Sequence, residues 1–154
     1  MTALSVQVGG NHYKNSAVQP MQFTMINGYD SCAHTILKYV SRHRSKGGKA
    51  DLEKAAHTVD LRVELVQPIW KLRAFSVMNG ALVAPLGVQL DALDDPRISI
   101  ETYCEANRLP LTETLILKTL DSWVRSQEND QTKYVVRIKK AITLLINEAY
   151  GEAA

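Results

Sequence analysis

Apolar residues recur at three- and four-residue spacing along most of the chain, and turn clusters separate the runs. Pro20 disfavours helix at Gln19, and Met21, Phe23, Thr24 and Met25 follow it, so a short helix is expected from Pro20 to Asn27-Gly28. Asp30 or Ser31 can cap a second helix, in which Ile36, Leu37 and Val40 point inward. His34, Lys38 and Arg42 share one of its faces at i, i+4 and i+8, and Gly47-Gly48 ends it. A third helix begins at Asp51, with Leu52, Ala55, Ala56, Val59 and Val63 as its stripe, and runs to Val66 before Gln67-Pro68; the spacing leaves open whether Ile69 to Phe75 resumes it. Residues 76–98 break the pattern with Gly80, Pro85, Gly87 and Asp94-Asp95-Pro96, as a loop or short hairpin would. Ser99 can then cap a helix through Asn107, and Thr112 another through about Glu128. From Thr132, Tyr134, Val135, Ile138, Ala141, Ile142, Leu145 and Ile146 give a strong helical spacing that Gly151 stops.

These elements predict an all-α fold whose centre is an antiparallel hairpin of residues 31–46 and 51–66. Residues 1–75 would form a helical domain with an extended N-terminal loop, 76–98 a connector, and 99–154 a C-terminal helical extension. The apolar face of the last helix is broad, with Val136 and Leu144 at its flanks. A homo-oligomer with the C-terminal third in its interface is the expectation from that breadth.

Composition narrows the class. At 154 residues, 45% hydrophobic and 22% charged, the chain has the make-up of one globular domain rather than a disordered tail. Cys32 and Cys104 cannot make a disulfide framework, and no signal peptide or apolar run near the ~20 residues of a bilayer span is present. A soluble protein of a reducing compartment, with no membrane partner, is expected. Net charge is only +2, yet residues 1–50 hold six basic side chains and one acid, Asp30. Anionic ligands are therefore drawn to the first third. The acidic remainder argues against a long nucleic-acid footprint.

The basic turn from Lys38 to Lys54 carries the chemistry. It places Lys38, Arg42, Arg44, Lys46 and Lys49 around Gly47-Gly48 and the start of the next helix, where backbone N–H groups and arginine forks can hold a phosphate. A solvated helix end with good dipole complementarity is the plainer reading. Gly47-Gly48-Lys49-Ala50 does not match a P-loop, and no G-x-G-x-x-G occurs. On the third helix Glu53, His57, Asp60 and Glu64 fall on one face, as ligands for Mg²⁺ or as a solvated surface. Cys32 and Cys104 have no adjacent base and read as small buried hydrophobes, and His34 and His43 as structural or surface residues.

Asn11-His12-Tyr13-Lys14, Gln19-Pro20, Ile36-Leu37-Lys38-Tyr39, Arg42, Lys46, Gly48, Asp51-Leu52, Lys54-Ala55 and Asp60 occur in an order that resembles the phage nucleotide kinase-like (SaV-like) family of small tailed-phage proteins. The resemblance covers about residues 8–66 and leaves 67–154 unmatched. It implies a phage protein acting in the host cytoplasm on a nucleotide ligand. Some such proteins are nucleoside monophosphate kinases without a P-loop, which would use Mg²⁺-ATP. The alternative is a non-catalytic sponge that sequesters a host signalling nucleotide as an anti-defence protein.

Carried over residue by residue, His12, Tyr13, Lys38, Tyr39, Arg42, Lys46 and Lys54 would bind the nucleotide. In a kinase Asp60 or Asp51 would hold Mg²⁺ or orient the acceptor; Glu64, placed beside Asp60 by the helical spacing and not by the resemblance, would be a second Mg²⁺ ligand. Lys38 and Arg42 can clamp phosphates, and Tyr13 or Tyr39 can stack on a base or pack as core. Arg42 is expected to be an exposed last-turn arginine that contributes little to folding.

Overall fold

Asp30 starts the central hairpin with both carboxylate oxygens. One accepts from the Ala33 backbone N–H at 2.8 Å and caps the second helix; the other accepts from Arg62 Nε at 2.9 Å, on the third. The computed structural model describes residues 16–78, 97–126 and 131–151, without the side chains of 66–78. Among them are α1 (Pro20–Ile26), α2 (Ser31–Arg42), α3 (Gly48–Met78), α4 (Ile100–Ala106), α5 (Leu111–Arg125) and α6 (Thr132–Tyr150), and no strand. The fold is mainly α-helical.

Local signals placed most boundaries. Pro20 opens α1, Ser99 caps α4 through the Thr102 N–H, and Gly151 closes α6. Several boundaries differ from expectation, among them the end of α2 at Arg42, ahead of the Gly47-Gly48 stop, and the end of α5 at Arg125, short of Glu128. α3 begins at Gly48 rather than Asp51, because Gly48 takes a positive φ of 55° and its N–H reaches the His43 carbonyl at 2.9 Å. Asp51 thereby falls in the helix's first turn, where the dipole favours a negative charge. α3 also runs through Pro68 to Met78, although a proline there removes an intrahelical hydrogen bond. α5 starts after Pro110 rather than at Thr112, which sits inside its first turn. Of the 76–98 connector, residues 79–96 lie outside the described residues.

The helices on either side of that connector share one core. α2 packs on α3 and α5, and α3 on α6. Ile36, Leu37, Val40, Leu52 and Val59 of the hairpin meet Ile116, Leu117, Leu120, Ile138, Ile142 and Leu145, all fully buried. Polar ties reinforce the join. Tyr29 donates its hydroxyl to Asp121 at 2.7 Å, and the Arg62 guanidinium stacks 4.1 Å from the Trp123 ring centroid. The broad stripe of α6 is accounted for in the same way. Ile138, Ile142 and Leu145 are buried in this chain's own core, with Tyr134, Val135, Ala141 and Ile146 packed around it, while Val136 and Leu144 face solvent. No helix among the described residues is long and apolar enough to cross a membrane.

Arg62 is 3% exposed, so its charge depends on Asp30. Replacing Asp30 with Ala removes both the cap and the counter-charge and is expected to cost on the order of 3 kcal/mol in urea denaturation. Asp30→Asn keeps a capping oxygen and should recover about 1 kcal/mol of that. Equal losses for the two variants would show that the cap contributes nothing.

Candidate functional site

The C-terminal half of α2 and the first turns of α3 face each other across the turn at 43–47. The helical spacing puts Lys38, Tyr39 and Arg42 at this junction, and α3 brings Lys54 to the same place. Three cations converge on one ring: Lys38 Nζ lies 5.0 Å, Arg42 Cζ 4.9 Å and Lys54 Nζ 5.8 Å from the Tyr39 centroid. Each gains from the ring's negative face. Tyr39 itself is half-buried against the core, so its ring is the platform on which they gather. Lys46 is exposed on the turn beside them. Desolvation pushes the Lys38 ammonium below the usual lysine range, and the charges of Arg42 and Lys46 add to this despite Asp51. Lys38 and Lys54 make no ion pair among the described residues.

Asp51 is buried, with a 2% exposed side chain, and accepts from Arg42 Nε at 2.9 Å. Arg42 is correspondingly only 16% exposed, which corrects the expectation of a free last-turn arginine. Its removal would strand a buried carboxylate. Gly47 makes room for this pair, because a Cβ there would run into the Asp51 carboxyl group. Asp51 thus orients Arg42 and is not open to a substrate.

A second network lies under the turn. His43 is 2% exposed; its Nε2 lies 2.9 Å from Glu113 Oε1 and its Nδ1 2.8 Å from the Tyr150 hydroxyl. Arg44 Nε donates to the same Glu113 oxygen at 2.7 Å, so this cation is turned toward α5 rather than toward Tyr39. Burial pushes the Glu113 carboxyl up, but the hydrogen bonds from His43 and Arg44 outweigh it and bring it down to about 2. The network ties the turn to α5 and α6.

The carboxylates further along α3 stand apart from the cations. Lys139 Nζ donates to both Asp60 oxygens at 2.8 Å, which directs Asp60 to α6. Glu53 pairs with Lys49, and His57 and Glu64 are exposed. No three His, Cys, Asp or Glu side chains among the described residues come together as a metal-binding group. Of the expected Asp60–Glu64 metal pair, Asp60 is engaged by Lys139 and Glu64 is exposed. His12 and Tyr13 lie outside the described residues. Burial pushes the thiols of Cys32 and Cys104 up, away from nucleophilic behaviour.

His34, expected to be a structural or surface residue, lies on the same helix face as Lys38. His34 is half-buried, and its Nδ1 lies 2.8 Å from Thr24 Oγ1. Burial, with the nearby Lys38 charge adding, pushes its imidazole below the usual histidine range. The i, i+4, i+8 stripe with Lys38 and Arg42 was the available signal. The contact with Thr24 depends on how α1 folds back onto α2.

A family model described as a protein of unknown function (DUF3310) matches residues 8–60, the stretch that holds Lys38, Tyr39, Arg42, Lys46, Asp51, Lys54 and Asp60. No curated protein and no solved structure matches the chain.

Two expectations follow from this geometry. Gly47→Ala should displace Asp51 from Arg42 and cost on the order of 3 kcal/mol in chemical denaturation, whereas an unchanged midpoint would show that the pair tolerates the extra methyl. Glu113 releases its proton more readily in the folded chain than in the unfolded one. The unfolded state therefore binds more protons as pH falls, and the stabilisation present above about 4.5 is lost on the way down to about 2. Melting across that range should be steeper for the wild type than for Glu113→Gln. That variant should cost about 1–3 kcal/mol at pH 7, because it removes the charged acceptor that His43 and Arg44 share while Arg44 still reaches water.

Proposed function

We propose that this chain binds a nucleotide and grips its phosphates at the cation cluster on Tyr39. The observation that carries this reading is the convergence of Lys38, Arg42 and Lys54 on one ring, two of them without a carboxylate partner among the described residues. Gathered like charges repel, and a polyanion relieves that repulsion while the oriented Arg42 offers it directed hydrogen bonds. That the anion is a nucleotide rests on the resemblance of residues 8–66 to the phage nucleotide kinase-like family. In this reading the protein is phage-encoded and acts on nucleotides in the host cytoplasm.

Sequestration fits the carboxylates better than phosphoryl transfer. Asp51 is buried beneath Arg42, and Asp60 is held by Lys139 away from the cluster, so neither is placed to receive an acceptor proton there. A sponge for a host signalling nucleotide needs only the cations and their platform.

Calorimetric titration with mono-, tri- and cyclic nucleotides tests this reading. Lys38→Ala and Lys54→Ala should each weaken binding by about 1.5–3 kcal/mol, roughly ten- to a hundredfold in Kd, and leave the melt of the unliganded protein nearly unchanged. Added salt should weaken binding further in the wild type than in either variant. Absence of nucleotide binding, or normal binding by both variants, would overturn the proposal. Turnover with ATP and Mg²⁺ would move the reading from sequestration to a nucleoside monophosphate kinase; recovery of the nucleotide intact supports the sponge.

A further inference from the structure

We infer that His34 is the second half of this site, its Nε2 accepting a hydrogen bond from a hydroxyl or N–H group of the ligand whose phosphates the cations hold. The inference rests on the anion-binding reading of the cluster and deepens it.

The tautomer follows from the hydrogen-bond network. Thr24 is buried, and its hydroxyl oxygen lies 2.9 Å from the Pro20 carbonyl and 3.2 Å from the Met21 carbonyl. A carbonyl can only accept, so the single hydroxyl proton goes to the helix backbone, an arrangement common for threonine. Oγ1 then accepts from His34, which must carry its proton on Nδ1. Burial and the Lys38 charge keep the ring neutral, so Nε2 holds a lone pair.

That lone pair meets none of the described residues. Nε2 is not among the buried polar atoms without a partner, so it opens to solvent. His43 provides the contrast within the same helix and turn, since both of its nitrogens are bonded to protein. His43 is buried and must find both partners within the protein, whereas the Nε2 of His34 takes its partner from outside. Thr24 fixes His34 from behind and leaves its acceptor facing out on the stripe shared with Lys38 and Arg42. Along α2 those residues lie about 6 Å and 12 Å away, from the rise of 1.5 Å per residue. The ligand class is therefore a phosphorylated small molecule with a donor group roughly that far from its phosphates. A nucleoside phosphate, with its ribose hydroxyls and base N–H groups, meets that description.

Long-range ¹H–¹⁵N spectra of the full chain, with titrations of ATP, GTP and inorganic pyrophosphate at pH 7.5, test the inference. The free protein should show His34 neutral with its proton on Nδ1, and a nucleoside triphosphate should shift Nε2 more than pyrophosphate does. His34→Phe should lower the preference for a nucleoside triphosphate over pyrophosphate roughly tenfold, the scale of one hydrogen bond. Pyrophosphate binding that is absent, or indifferent to Lys38→Ala and Lys54→Ala, would overturn the anion-binding reading and this inference with it. Pyrophosphate binding that depends on those lysines, with an unmoved Nε2, an unchanged preference in His34→Phe or a proton on Nε2, would overturn the role of His34 alone.

Discussion

A buried carboxylate beneath a crowd of cations organises this protein. Asp51, in the first turn of α3, holds Arg42 from the last turn of α2 and occupies the space that Gly47 leaves open. Burying that charge unpaired would cost several kcal/mol, so the pair constrains where the two helices can sit. It also decides which way the guanidinium points. The hairpin of α2 and α3 and the convergence on Tyr39 both follow from that closure.

The turn is further anchored from below. His43 and Arg44 share one oxygen of Glu113, and Tyr150 reaches His43 from α6. The six basic side chains between Lys38 and Lys54 therefore have separate fates, with Lys46 exposed on the turn. Arg44 is drawn to α5 and Lys49 to Glu53, while Lys38, Arg42 and Lys54 gather on the tyrosine. A count of local charge could not have separated them. The same sorting applies to the acids, since Asp51 and Asp60 look alike in sequence but one lies under Arg42 and the other against Lys139.

Helix positions were legible because caps and stripes are local. Asp30, Ser99 and Gly151 act within a turn of themselves, and the apolar spacing of 132–146 needs no partner to be read. Pro68 left the end of α3 open, because a proline's local cost says nothing of whether surrounding contacts carry the helix through it. The breadth of the α6 stripe was equally local, but what it packs against was not: α3 and α5 both pack on it.

By itself, the sequence determined the all-α class, the hairpin and the concentration of positive charge in the first third, because each depends on neighbours within a few residues. The tertiary structure alone decided which cations stay together, that Arg42 is partly buried, that Asp60 is turned away, and that His34 is oriented by Thr24 ten residues earlier. Each of those depends on charges or donors brought together from different helices. A helical period sets the face a side chain occupies, but the packing of the helices decides what stands opposite it.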